Sequence, residues 1–83
     1  MCRYNLAYIN AFFKNYKIAS DILDETIELD KNNADAYALR GLMKEKLNNH
    51  TGAMMDYQNA LQLDKNQKGA TDGLKRLKFS ISF

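Results

Sequence analysis

The chain has 83 residues, which makes a single domain the default. Its formal net charge of +2 is too small to single out a polyanionic partner, and Cys2, its only cysteine, excludes an internal disulfide or a cysteine-built metal site. No apolar run approaches the roughly 18 residues of a membrane span, and Met1–Phe13, interrupted by Arg3, Asn5 and Asn10, is not an apolar signal core.

No stretch alternates apolar and polar residues over a full strand length, so an all-α chain is expected. The first helix is predicted over about residues 3–13, on the spacing of Leu6, Ile9 and Phe13. A second follows over about 16–29, carrying Ala19, Ile22, Leu23, Thr26 and Ile27, with Asn15 as its expected N-cap. Asp21, Asp24, Glu25, Glu28 and Asp30 give this helix an acidic face that reads as solvated. The third, about 34–47, shows Ala36, Leu39, Met43 and Leu47 behind an Asn33 cap. The fourth, about 50–63, shows Ala53, Tyr57, Ala60, Leu61 and Leu63 behind Asn49. A fifth is predicted over about 68–79, where Leu74 and Leu77 alternate with Lys75, Arg76 and Lys78. The connections are short, so consecutive helices must pack antiparallel.

The chain also repeats itself. Ile27-Glu28-Leu29-Asp30-Lys31-Asn32-Asn33 returns 34 residues later as Leu61-Gln62-Leu63-Asp64-Lys65-Asn66-Gln67. At the same offset Ala7 meets Gly41, Ala19 meets Ala53, Leu23 meets Tyr57, Ala36 meets Ala70 and Met43 meets Leu77. There are two near-complete copies and the opening helix of a third.

A helix–turn–helix period of 34 resembles the tetratricopeptide repeat (TPR). In the second copy Tyr37 takes the aromatic place and Arg40-Gly41 the Leu-Gly place. Ala53, Tyr57 and Ala60 take the family's Ala, Phe and second Ala places. The first copy is looser, with Ala7, Leu23 and Thr26 at the Gly, Phe and second Ala places, and Lys31 and Lys65 stand where the family usually has proline. The resemblance covers nearly the whole chain. It implies an α-solenoid of antiparallel helix pairs: repeat one over 1–33, repeat two over 34–67 and a capping helix over 68–83. It also implies that Gly41, Ala53 and Ala60 are small because helices approach closely there.

Catalysis is not expected. His50 is the only histidine and sits at a turn, no glycine-rich phosphate loop is present, and neither a metal nor another cofactor is implied. Asn49-His50-Thr51 matches a glycosylation sequon by chance. The single cysteine fits a reducing, cytoplasmic setting. The resemblance instead implies a protein-interaction module, with the first helix of each pair lining a concave surface. The residues expected there are Tyr4, Tyr8 and Ala11, then Asp35, Ala38, Leu42 and Glu45, then Asp72 and Arg76. Tyr4, Tyr8 and Leu42 form the expected apolar anchor for a protein or peptide partner, with Glu45 and Arg76 as its polar rim. The competing reading is that the two tyrosines only cover the end of the array. A carboxylate clamp of the kind used by chaperone-binding members is not expected, because Tyr4, Tyr8 and Leu39 stand at its Lys and Asn places. Two alternatives remain open. One is self-assembly into a homo-oligomer through uncapped ends. The other is contact of the basic final helix with an anionic membrane or nucleic acid, neither of which is an expected partner.

Overall fold

A computed structural model describes residues 3–81, with side chains described over 6–78. Five helices account for nearly all of it: α1 (Arg3–Phe12), α2 (Tyr16–Leu29), α3 (Ala34–Lys46), α4 (His50–Leu63) and α5 (Lys68–Ile81). No strand occurs among the described residues. The sequence placed every helix, and the ends moved by one or two residues. α1 and α3 stop one residue short because Lys14 and Asn48, equivalent at the 34-residue offset, turn into the left-handed region at φ 65° and 67°.

Capping follows the asparagines in two of three places. Asn33 Oδ1 accepts the Ala36 N–H and Asn49 Oδ1 accepts the Gly52 N–H, each at 3.1 Å. Asn15 makes no such side-chain bond, so the expected cap of α2 is absent. Gln67 does the work at α5: its Oε1 accepts the Ala70 N–H at 2.9 Å, and its Nε2 donates to Asp35 at 2.7 Å.

Each helix packs on the next, and α3 also meets α1 on one side and α5 on the other. No equivalent contact joins α2 to α4. The first helices therefore lie close together as an inner layer while the second helices spread apart as an outer one. That difference curves the array, with α1, α3 and α5 on the concave side.

Two apolar clusters hold the layers together. Ala7, Ala19, Leu23, Ile27, Ala36, Leu39 and Met43 join α1, α2 and α3. Ala38, Ala53, Tyr57, Ala60, Ala70 and Leu77 join α3, α4 and α5. The alanines let helix axes approach, and the larger side chains fill the spaces between. Met43 and Leu77 occupy one register position, and each is 1% exposed against the outer helix of the preceding pair. Ile9 is their counterpart in α1. It is 44% exposed, as no described helix precedes it.

The loop after α4 accommodates the family's proline. Asp64 is extended (φ −147°, ψ 100°), the conformation that precedes proline most readily, and Lys65 N–H makes no hydrogen bond among the described residues. Lys65→Pro is expected to stabilise the fold by about 0.4–1 kcal/mol through the unfolded chain. Urea denaturation measures this, and a clear loss of stability would show that the turn differs from the one described.

Candidate functional site

The concave side carries two hollows that share the Leu39, Leu42 and Lys46 wall of α3. The first, of about 220 Å³, lies toward α1, where Tyr8, Ala11, Phe12 and Tyr16 oppose Leu42 and Met43. The second, of about 460 Å³, lies between α3 and α5, where Asp35 and Ala38 oppose Gly69, Asp72 and Arg76. Together they form one groove across the inner layer. It exists because successive first helices repeat at a spacing that leaves a valley on each side of α3.

Most of the expected site residues fall in it. Tyr8 is 58% exposed and Leu42 half-buried, and both line the smaller hollow. Ala11, Asp35, Ala38, Asp72 and Arg76 line the groove as the register implied, and Ala38 forms part of its floor. The side chain of Tyr4 lies outside those described, as do those of Phe79, Ile81 and Phe83. Leu39, Phe12, Lys46 and Gln67 were missed. Phe12 and Lys46 stand one turn beyond Tyr8 and Leu42, so continuing each stripe by four residues would have found both.

Glu45 departs from its expected role. Its carboxylate is committed inside the domain: Arg76 Nε and Nη2 donate to it at 3.1 Å each, and the Tyr57 hydroxyl donates at 2.8 Å. Burial pushes the Glu45 carboxyl up, but the hydrogen bonds from Arg76 and Tyr57 outweigh it, and the group sits below the usual carboxylate range. Arg76 is pushed up chiefly by the same bond. Glu45 therefore fixes Arg76 at the groove wall and ties α3 to α4 and α5.

Tyr57 is held well above the usual tyrosine range, first by burial and then by its bond to the Glu45 carboxylate. A raised pKa keeps the proton on the folded state while the unfolded tyrosine loses its own above pH 10.0. Stability from this group is therefore present below that pH and falls as pH rises further. Melting temperature is expected to drop on the alkaline side and to drop less in Tyr57→Phe. An identical alkaline loss in the variant would assign the effect to other groups.

The outer side holds a polar network. Arg40 Nε and Nη2 donate to the two oxygens of Asp56 at 2.9 and 2.8 Å, and Nη1 donates to Asp24 at 3.0 Å. Lys44 Nζ lies 3.2 Å from Asp56, which is 2% exposed, and Arg40 stacks over the Tyr37 ring. Asp24 is thus more than a member of a solvated face: it joins α2 to α3. Among the described residues no group of three or more His, Cys, Asp or Glu could hold a metal ion, and no helix is long and apolar enough to cross a membrane.

No family model matches the chain. The Arabidopsis OM64 TPR domain superposes on 95% of it with a TM-score of 0.91 at 29% identity; the match takes in 65% of that chain. The chain has the tetratricopeptide-repeat fold. The repeat domain is also 37% identical over 70 residues to RNA polymerase II-associated protein 3 of Xenopus tropicalis, and 36% identical to that of Xenopus laevis. Each match covers 82% of the repeat domain and 11% of the relative. The chain thus spans about a tenth of the length of the curated relatives it matches. As a repeat fold related to these proteins, it is a protein-interaction module in general character.

Proposed function

We propose that the repeat domain binds a peptide or a partner helix in the concave groove, working without a cofactor and in a cytoplasmic setting. In this reading residues 1–33 and 34–67 are the two repeats and 68–83 the capping helix. The observation that carries it is the continuity of the groove. Tyr8 and Leu42, from adjacent repeats, offer apolar surface on one side of α3, and the polar side chains of Asp35, Asp72 and Arg76 line the other. An exposed aromatic with a polar tip beside a half-buried leucine is the composition of an interface anchor.

Quantitative pull-down from a cell extract tests it, comparing wild type with Leu42→Lys and with Asp24→Ala on the outer side. Partners lost with the first and kept with the second support the groove. Partners kept in both would refute it.

The α1 end supports a second reading, association of two copies. Leu6, Ile9, Phe12 and Phe13 are exposed together there, with the Phe12 and Phe13 rings edge to face at 5.4 Å. Light scattering should then show a mass that rises with concentration in wild type and stays monomeric in Ile9→Lys. The basic-helix alternative gains no such support. Leu74 and Leu77 turn inward onto α4, and Arg76 is paired with Glu45, which leaves no apolar stripe of α5 free among the described residues.

A further inference from the structure

The groove is charged differently along its length. α3 and α5 are both first helices and run in the same sense. Along them Asp35 comes first, Asp72 stands level with Ala38, Arg76 with Leu42, and Lys46 last. Asp35 and Lys46 are thus about 16 Å apart along the axis at about 1.5 Å per residue. Arg76 is largely neutralised by Glu45. Asp72 makes no hydrogen bond or ion pair among the described residues, and Asp35 engages only the neutral Gln67 amide. One end of the groove therefore presents two carboxylates with no cation to answer them. Gly69, level with Asp35, lines this end without a side chain, and the Gln67 amide stands beside it.

We infer that the groove takes an internal peptide segment carrying a Lys or Arg side chain, which seats between Asp35 and Asp72, and a bulky apolar side chain, which seats against Leu42 and Tyr8. This deepens the groove-binding reading and rests on it. Leu42 lies four to seven residues along the helix from the acidic level, about 6–10 Å. An extended peptide covers that in about two or three residues. The basic residue and the apolar one are therefore close neighbours in the bound segment. A free C-terminal carboxylate has no place at the acidic end of this arrangement. Tyr8 and Leu39 stand on its route, and the nearby acids repel it.

The test is selection of a random peptide library, displayed with both peptide ends blocked, against wild type, Asp72→Lys and Leu42→Lys. Circular dichroism confirms that each variant folds, and Tyr8→Lys replaces Leu42→Lys if that variant does not. Wild type should enrich Lys or Arg two or three residues from Leu, Ile, Phe or Met. The selected peptides, made as capped synthetic ligands, should bind Asp72→Lys at least about tenfold more weakly. They should bind Leu42→Lys more weakly as well. Two results overturn the inference while leaving the groove reading intact. One is enrichment without a basic preference; the other is unchanged affinity for Asp72→Lys with loss in Leu42→Lys. No enrichment at all, or affinities that neither variant alters, would overturn both.

Discussion

Gly73→Ala is expected to destabilise the domain by about 2–3 kcal/mol, although alanine is the better helix former by about 1 kcal/mol. A Cβ at Gly73 would overlap the Cζ and Cε2 atoms of Tyr57. Tyr57 cannot yield, since it is 1% exposed and its other edge lies against Gly41, where a Cβ would meet Cε1 at 2.8 Å and Cδ1 at 2.9 Å. The ring is thus clamped between α3 and α5 by two glycines. Gly41→Leu should cost about 3 kcal/mol for the same reason, a large fraction of the stability of so small a domain. The first interface shows what the second avoids. There Leu23 and Leu39 stand at the positions of Tyr57 and Gly73, so a medium pair is exchanged for a large and a small one. Tyr57→Leu should therefore recover part of what Gly73→Leu loses. Urea midpoints of the single and double variants measure this. A neutral Gly73→Ala would contradict the register.

Arg40→Ala carries the second large effect, expected at about 3–5 kcal/mol. The Arg40 side chain is 17% exposed and that of Asp56 3%, so removing the guanidinium leaves a buried carboxylate with only Lys44 beside it. Asp24 loses its link to α3 in the same step. Replacing Arg40 and Asp56 together by methionine and leucine should cost less than Arg40→Ala alone, since the charges then left, Lys44 and Asp24, both reach solvent and no fully buried carboxylate is stranded. A double-mutant cycle under denaturant tests this, and additive losses would show that the pair is not coupled.

The fold was legible because its signal is periodic. Helix spacing, the 34-residue offset and the asparagines before α3 and α4 located each element and the concave register. What escaped depends on reach across elements. Glu45 looked like a rim residue because its helix position faces the groove, yet a long neighbour, Arg76, and a buried phenol draw its carboxylate inward. Arg40 was visible only as an exception at the Leu place. The signal for its role was Asp56, a carboxylate on the same stripe as Ala53 and Ala60, which buried position requires a cation. Asn15 makes no side-chain cap although its backbone (φ −87°, ψ 63°) lies close to that of Asn49 (φ −95°, ψ 75°), which does cap, so the backbone does not explain the difference.

Tyr8→Ala decides between a binding residue and a covering one, through partner affinity and melting temperature measured on the same protein. Tyr8 is more than half exposed and buried in neither core cluster, so its loss should leave helicity and melting nearly unchanged. As an anchor of the groove it should cost about 2 kcal/mol or more of binding, while Asp24→Ala on the outer side costs little. Affinity lost at constant melting temperature is the result expected. A melting temperature that falls with no separate change in affinity would make the tyrosine part of the packed end of the array and contradict the groove as the binding site.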